Sequence, residues 1–246
     1  MTTKYFILTK EKESPVWEND KNQLVFLNRD LSFILPQVNL DYYSRKGLFE
    51  SGLIEWSKQL CSKNTLFLDI GAHTGTYALS LADYSKHVYA FEPQKMTFYA
   101  LCGSVALSSK HNITCLPLGL GSPQQVGIST LKIRSEDGGG SSLLDIEGAN
   151  ILAEEEIRVT TLDTFFNDNL ITTPVGFIKM DVEYNELNVL QGGIKTLRKH
   201  RPKILFEVNT DSPLAKDVFA FLENELQYKI IQVTGADNMF LGEAPF

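Results

Sequence analysis

The segment T-L-F-L-D-I-G-A-H-T-G-T-Y-A-L-S-L-A, residues 65–82, constrains the fold more than any other part of the chain. An apolar run leads to Asp69, a turn carries Gly71 and Gly75, and apolar residues then recur at helical spacing. This order predicts a buried strand, a glycine turn and a helix, because buried strands of parallel sheets are continuous apolar runs. Glycines at such a turn let a ligand approach the backbone near the helix N-terminus. The segment therefore predicts a site for a nucleotide-like ligand.

Two acidic residues at strand ends indicate which nucleotide-like ligand this is. A dinucleotide-binding turn reads G-x-G-x-x-G and holds a pyrophosphate, whereas this turn has only two glycines, and Asp69 would repel phosphate. A carboxylate suits S-adenosylmethionine, which carries a sulfonium and an ammonium and no phosphate. A second predicted strand, H-V-Y-A-F-E-P, ends in Glu92, an acid placed to accept both hydroxyls of a ribose. Taken alone, Asp69 also fits an ordinary helix N-cap.

Composition and charge narrow the class of protein. The 246 residues have room for one α/β domain with an N-terminal extension. The formal charge of −7, without a long Lys/Arg run, argues against a nucleic-acid or anionic-membrane partner. Cys61, Cys102 and Cys115 lack CxxC spacing, which favours neither a disulfide framework nor a zinc site. With no apolar signal core and no stretch of membrane-spanning length, we expect a cytoplasmic protein.

The predicted elements divide the chain into an N-terminal cap, residues 1–60, and a ligand-binding domain, residues 61–246. In the cap, residues 23–28 and 31–36 are predicted strands, and residues 47–60 form an amphipathic helix. From Leu66 onward strands and helices alternate, which is typical of a doubly wound parallel sheet. Within it, residues 113–121 are predicted as one strand, residues 187–197 as a helical apolar face, and the chain closes in a hairpin.

The glycine-rich stretch E-D-G-G-G-S-S-L-L, residues 136–144, interrupts the alternation. Its composition predicts a loop, either a mobile lid that contacts the second substrate or an ordinary surface excursion. Together with Tyr42, Tyr43 and Glu50 of the cap, the part from Gly138 to Ser142 is the candidate for recognising that second substrate.

An acidic cluster follows from the strand I-K-M-D-V-E. Period two places Lys179, Asp181 and Glu183 on one side, at the carboxyl end where open α/β sheets bind ligands. Glu207 has the same relative place in L-F-E-V-N. Such carboxylates act as a general base, hold a hard cation such as magnesium or manganese, or cap the following helices. His73 is a competing base, unless it hydrogen-bonds only to backbone.

Five motifs in order resemble the FkbM family of methyltransferases: F-L-D-I-G-A-H-T-G, F-E-P-Q-K-M-T-F, V-T-T-L-D, F-I-K-M-D-V-E-Y-N-E-L-N-V-L-Q-G-G and R-P-K-I-L-F-E-V. The resemblance runs from about Phe67 to Phe240. It implies a Rossmann-like class I methyltransferase sheet, mostly parallel with an antiparallel C-terminal strand. It also implies S-adenosylmethionine as cofactor and O-methylation, often of sugars or polyketide hydroxyls.

The resemblance implies Asp69, Gly71, Gly75 and Glu92 for the cofactor, with Asp181, Glu183 and Glu207 near the transferred methyl group. The full sets of candidates also include their neighbours. The candidate cofactor-binding residues are Asp69, Gly71, Ala72, His73, Gly75, Glu92, Pro93 and Asp181. The candidate catalytic residues near the transferred methyl group are Lys179, Asp181, Glu183 and Glu207. The chain departs from the family at His73 and Ser104, where the family usually has Asn, and at Tyr184, where it usually has Gly. We expect the ring of Tyr184 to reshape the acceptor pocket.

The sequence thus predicts an S-adenosylmethionine-dependent O-methyltransferase that acts on a hydroxyl, with a sugar in a glycan or glycoconjugate as the preferred acceptor. A polyketide-like or other small-molecule acceptor is one alternative. A nucleotide-cofactor oxidoreductase and a catalytically silent cofactor-binding module are the others.

Overall fold

A seven-stranded sheet forms the centre of the protein in a computed structural model that describes residues 4–11, 17–19, 24–26, 29–146 and 148–245. The strands are β1 (Tyr5–Glu11), β2 (Trp17–Asn19), β3 (Leu24–Phe26), β4 (Arg29–Pro36), β5 (Leu66–Ile70), β6 (His87–Phe91), β7 (Ile113–Leu116), β8 (Gly119–Leu120), β9 (Gly127–Ile133), β10 (Ala153–Thr160), β11 (Val175–Met180), β12 (Lys203–Glu207), β13 (Lys229–Gln232) and β14 (Met239–Glu243). The α-helices are α1 (Leu40–Lys46), α2 (Ser51–Ser57), α3 (Thr76–Leu81), α4 (Lys95–Leu107), α5 (Leu162–Asp168), α6 (Glu186–Gly192), α7 (Ile194–His200) and α8 (Leu214–Ala220).

The central sheet has the order β7-β6-β5-β11-β12-β14-β13, and β14 lies antiparallel between β12 and β13. Both faces of the sheet are buried. Phe67 and Phe177 pack on the side of α3 and the cap, whereas Leu68 and Ile178 pack on the side of α5 to α8. Burial on both faces explains why these strands are continuous apolar runs in the sequence. The predicted mostly parallel sheet with an antiparallel C-terminal strand is confirmed.

The structure corrects the predicted strand over residues 113–121. The chain leaves the central sheet after β7 and enters a second sheet as β8, in the order β8-β10-β9. Pro117 lies at the break and has no N–H to continue a ladder of hydrogen bonds. The strand β9 is an outer strand of this second sheet.

The helices are short, and the apolar face predicted over residues 187–197 belongs to two of them, α6 and α7, which meet at Gly193. The carboxylate of Asp163 accepts hydrogen bonds from the N–H groups of Lys195 (3.0 Å) and Thr196 (2.8 Å). The N–H groups in the first turn of α7 therefore have an acceptor outside the helix, which is why α7 begins as a separate helix after α6. Within the described ranges, no helix is long and apolar enough to cross a membrane.

The cap docks through the free edge of β4, whose other edge pairs with β1. The N–H of Ile34 donates to the hydroxyl oxygen of Ser104 in α4, and the N–H of Ser32 donates to that of Ser108, the residue after α4, both at 2.8 Å. The edge of β4 is therefore hydrogen-bonded although no strand covers it. Gly103 of α4 also faces β4, where a Cβ would lie 2.5 Å from Ile34 Cδ1, so a larger residue there would require the Ile34 side chain to move.

Several cap elements differ from the prediction. The predicted strands appear as β3 and β4, but β1 and α1 were not expected from the sequence, and the predicted helix over residues 47–60 is α2 followed by a short 3₁₀ turn. Ser104, one of the departures from the family, is the side chain that accepts from Ile34. The division at residue 60 stays a prediction.

Candidate active site

A cavity of about 350 Å³ opens at the carboxyl ends of β5, β6 and β11. The strand order reverses between β5 and β11, which is the place where open α/β sheets bind ligands. Apolar side chains of the second sheet and its approach line one wall: Leu118, Leu120, Leu131 and Ile157. The cap, the glycine-rich loop and the turns after β5, β6 and β11 complete the lining. The volume lies within the range of small-molecule pockets.

Asp69 projects from β5 into this cavity and is only 1% exposed. Its Oδ2 accepts a hydrogen bond from the N–H of Ala78 in the first turn of α3 at 2.8 Å, but the N-cap of α3 is Gly75, so Asp69 is not the N-cap that the sequence left open. Its Oδ1 has no hydrogen-bond partner among the described residues. Burial raises the pKa of Asp69 to about 6. An unpartnered buried oxygen is costly, and a cationic donor in the cavity would satisfy it.

The two glycines of the turn serve different purposes. Gly71 lines the cavity with a φ of +79°, and a Cβ there would lie 1.8 Å from the carbonyl oxygen of Asp181. Gly75 lies outside the cavity lining, and a Cβ there would meet the side chains of Leu101 and Leu79 at 2.5 and 2.7 Å. The structure therefore does not place Gly75 against a ligand, because its neighbours are the apolar core beneath α3 and α4.

Glu92 follows β6 and lies buried in the cavity wall. Its Oε2 accepts from the N–H of His73 at 2.9 Å, and its Oε1 accepts from the N–H of Gln94 at 2.8 Å. Burial raises the pKa of Glu92 to about 7, although these two bonds favour the charged form. A carboxylate has about four acceptor positions, so two remain for a ligand. Pro93 and Ala72 line the cavity beside it.

His73 occupies the left-handed region with a φ of 50° and bonds to backbone, as one reading of the sequence predicted. Its Nε2 lies 2.7 Å from the carbonyl oxygen of Asp137. Because a carbonyl only accepts, Nε2 carries the proton of the neutral ring. Burial lowers the pKa of His73, which keeps the ring neutral. Its Nδ1 faces the hydroxyl of Thr74 at 3.4 Å.

Lys179 is 5% exposed and forms an ion pair with Asp181, whose Oδ2 lies 2.9 Å from Nζ. The ammonium also lies 5.2 Å from the ring centroid of Tyr77, and the Tyr77 hydroxyl donates to Oε2 of Glu50 at 2.8 Å. Burial lowers the pKa of Lys179, but the Asp181, Asp69 and Glu50 carboxylates outweigh burial and raise it. Lys179 is therefore a buried cation rather than a base.

The cavity carries an excess of negative groups. Six carboxylates belong to its lining: Glu50, Asp69, Glu92, Asp137, Asp181 and Glu183. Among the lining residues in the described part of the chain, Lys179 supplies the one ammonium. Such a surface attracts a ligand with positive charge.

Glu183 and Glu207 are placed differently. Glu183 lines the main cavity, and its Oε1 accepts from the N–H of Gly140 at 3.0 Å, so it binds the glycine-rich loop instead of capping α6. Burial, reinforced by Asp181, raises the pKa of Glu183. Glu207 lines an adjoining cavity of about 160 Å³, which shares Asp181 and Glu183 with the first and also includes Tyr184. Burial raises the pKa of Glu207 to about 7.

These carboxylates do not fit the predicted magnesium or manganese site. Within the described ranges, no group of three or more His, Cys, Asp or Glu side chains is arranged to hold a metal ion. All three line the second cavity, but Asp181 is paired with Lys179, and Glu183 accepts a hydrogen bond from the N–H of Gly140. Oxygen ligands of a hard cation must converge on one point, and these three do not.

On the predicted acceptor side, Tyr43 and Glu50 line the cavity, but Tyr42 does not. Tyr42 stacks on Phe49, with ring centroids 4.0 Å apart, and Phe49 itself lines the cavity. Of the loop, residues 138–141 line the cavity, whereas Ser142 anchors it through a hydroxyl donated to the carbonyl oxygen of Glu183 at 2.5 Å.

Sequence reasoning missed five polar lining residues: Asn39, Thr76, Tyr77, Asp137 and Asn185. Asn39 donates to Oδ2 of Asp137 at 2.7 Å, and Asn185 donates to the carbonyl oxygen of Leu120 at 3.1 Å. Asp137 precedes the three glycines, so its place in the loop was a usable signal. Asn185 stands in the motif F-I-K-M-D-V-E-Y-N-E-L-N-V-L-Q-G-G, which was also a usable signal, whereas nothing in the local sequence marks Asn39, because its partner lies 98 positions away.

The sheet order, the antiparallel β14 and the cavity at the carboxyl edge define the Rossmann-like fold of class I methyltransferases, which bind S-adenosylmethionine. Residues 69–230 match the family described as "Methyltransferase FkbM domain". The chain belongs to this FkbM methyltransferase family.

Solved structures agree with this fold. The FkbM methyltransferase from Methylobacillus flagellatus KT is 19% identical with a TM-score of 0.50, over 81% of this chain and 46% of that protein. This chain thus spans about half the length of that relative. A candidate caffeoyl-CoA O-methyltransferase from Staphylococcus aureus is 11% identical (TM-score 0.50), over 85% and 91% of the two chains. Cofactor-bound Rv0187 from MTB is 12% identical (TM-score 0.51), over 84% and 88%. No curated protein sequence matches this chain.

Proposed function

We propose that this chain is an S-adenosylmethionine-dependent O-methyltransferase whose acceptor is a sugar hydroxyl in a glycan or glycoconjugate. The observation that carries the proposal is a single cavity with carboxylates at the strand ends and aromatic rings of the cap above them. Family membership favours methyl transfer over the nucleotide-cofactor oxidoreductase that the sequence left open.

The residues present fit the cofactor. The free Oδ1 of Asp69 suits its ammonium, Glu92 suits the ribose hydroxyls, and the excess of carboxylates suits its positive charge. When bound, S-adenosylmethionine supplies a methyl group that passes to the acceptor oxygen as the carbon–sulfur bond breaks. The glycine-rich loop and the cap line the same cavity as the strand ends.

Glu183 is the proposed general base. It lines both cavities, its pKa is raised by burial and by Asp181, and its Oε2 accepts no hydrogen bond from the described residues. A carboxylate with a raised pKa takes a proton from a hydroxyl more readily than an ordinary one. The proton of the acceptor hydroxyl thus moves to Oε2 of Glu183. Lys179 holds Asp181 in place and keeps it from this role.

A sugar acceptor suits the cap. Tyr43 and Phe49 offer aromatic faces, while Asn39 and Glu50 offer hydrogen-bonding groups at the same opening. Ligand pockets combine apolar surface with a few placed polar groups in this way. The polyketide-like acceptor remains an alternative, since such a molecule also carries hydroxyls on an apolar body.

The experiment is an acceptor screen with methyl-deuterated S-adenosylmethionine, read by mass spectrometry. Its panel holds oligosaccharides, nucleotide sugars, polyketide-type alcohols and RNA, because the prediction of no nucleic-acid partner rests on charge alone. We expect label on a sugar oxygen. The variant E183Q is expected to bind S-adenosylhomocysteine like the wild type while kcat falls about 100-fold or more. The variant D163N, altered outside both cavities, is the control.

Label exclusively on a nitrogen, on RNA or on a non-sugar alcohol contradicts the sugar assignment. If the protein binds the cofactor but methylates nothing in the panel, the catalytically silent binding module is favoured. The cytoplasmic location stays a prediction.

A further inference from the structure

A chain of hydrogen bonds joins the cofactor side of the cavity to the cap. Glu92 Oε2 accepts from the main-chain N–H of His73 at 2.9 Å, and the His73 ring donates from Nε2 to the carbonyl oxygen of Asp137 at 2.7 Å. Asp137 Oδ2 then accepts from Asn39 Nδ2 at 2.7 Å. The His73–Asp137 bond spans 64 positions of sequence, so it links the turn after β5 to the glycine-rich loop.

Asp137 is also the residue around which the loop is built. Its Oδ1 accepts from the hydroxyl of Ser135 at 2.6 Å and from the N–H of Gly139 at 3.1 Å. The next N–H, that of Gly140, donates to Glu183. The loop is also tied to Glu183 through Ser142 and to β9 through Lys132, and the His73 bond is its tie to the cofactor turn. Gly138 and Gly140 have positive φ values, which leaves the loop little intrinsic preference for this shape.

We propose that His73 is a positioning residue that couples cofactor binding to the closed conformation of the loop over the acceptor site. This rests on the proposed function. A cofactor that engages Glu92 fixes the turn that carries His73, and the fixed ring then holds Asp137 and the loop. The acceptor site is complete only with the loop in place, so the cofactor binds before the acceptor. Coupling of this kind is reciprocal: the factor by which bound cofactor stabilises the closed loop is also the factor by which the closed loop strengthens cofactor binding. Releasing the loop from His73 therefore weakens cofactor binding by that factor.

Two substitutions at one position separate the hydrogen bond from the rest of the side chain. H73Q keeps an N–H donor at the reach of Nε2, whereas H73N keeps a donor that is too short to reach Asp137. Asparagine is the residue usual in the family at this position, so H73N is expected to fold. Two quantities are measured. The first is hydrogen exchange of the peptide over residues 135–142, in the unliganded protein and with S-adenosylhomocysteine bound. The second is the Kd of S-adenosylhomocysteine for each variant.

In unliganded H73N we expect loop amides to exchange about fivefold faster than in the wild type, the effect of losing one hydrogen bond. S-adenosylhomocysteine slows loop exchange in the wild type and in H73Q but much less in H73N, and its Kd rises about fivefold in H73N. The proposal is overturned if H73N exchanges like the wild type, or if H73Q and H73N change alike. It is also overturned if peptides of β5 and β11 accelerate as much as the loop, since His73 then only stabilises the fold. If the wild type binds no S-adenosylhomocysteine, the proposed function fails, while the unliganded comparison still decides the role of the His73 bond.

Discussion

Replacing Glu92 with glutamine is expected to weaken S-adenosylhomocysteine binding about 30- to 150-fold, which corresponds to about 2–3 kcal/mol. Both carboxylate oxygens already accept one main-chain N–H, from His73 and from Gln94. The two remaining acceptor positions suit a ribose diol. Glutamine has one oxygen in place of two, and its NH₂ group must face either a main-chain donor or the ligand hydroxyl. One charge-assisted bond is lost and the other becomes neutral.

The measurement is isothermal titration calorimetry of the folded variant, checked by circular dichroism and Tm. The matched control is D163N, because Asp163 also accepts two main-chain N–H groups, those of Lys195 and Thr196, but lines neither cavity. Each variant leaves a main-chain donor without its partner, so we expect a lower Tm in both. Only E92Q should change the Kd. A folded E92Q whose Kd stays within about threefold of the wild type would refute the assignment of Glu92 to the ribose.

Two further predictions concern protonation and the cap. Burial raises the pKa of Glu92 to about 7 and that of Asp69 to about 6, so both groups are partly protonated near pH 6.5. Because cationic S-adenosylmethionine favours the charged carboxylates, binding should release protons at pH 6.5 but not at pH 8.5, and affinity should rise with pH. Calorimetry in buffers of different ionisation enthalpy measures this, and proton uptake at pH 6.5 would contradict it. In the cap, S104A leaves the N–H of Ile34 without its acceptor, at a cost of about 1–3 kcal/mol, or about 3–10 °C in Tm. The exposed S44A is the control, and equal Tm values for the two variants would mean that this bond does not hold the cap.

Local patterns in the sequence were sufficient to predict much of the central sheet and the helix that follows its first strand. The strand, turn and helix of residues 65–82 appear as β5 and α3, and the apolar runs appear as the central parallel strands. The pattern of apolar residues along a strand shows which of its faces are buried. A strand of a parallel sheet is buried on both faces, so an uninterrupted apolar run is enough to predict it. Acids at strand ends were likewise visible, because parallel strands bring their carboxyl ends to one edge.

Tertiary structure decided how those acids are used. Among the described residues the three predicted metal ligands form no arrangement that could hold a metal ion, and two of them have other partners: Lys179 pairs with Asp181, and the N–H of Gly140 donates to Glu183. Period two placed Lys179 beside the acids, but only the folded site shows that its ammonium is buried against one of them. Charge pairing in a buried site depends on distances of a few ångströms, and strand periodicity carries no such information.

The sequence by itself determined the alternation of the central parallel strands with helices, the turn at Gly71 and the acids at the strand ends, since each follows from neighbours within a few positions. The tertiary structure decided the docking of β4 on α4, the second sheet after Pro117 and the bond from His73 to Asp137. Each of these joins segments tens of residues apart. Such contacts depend on how whole elements pack, and local propensity does not encode that packing.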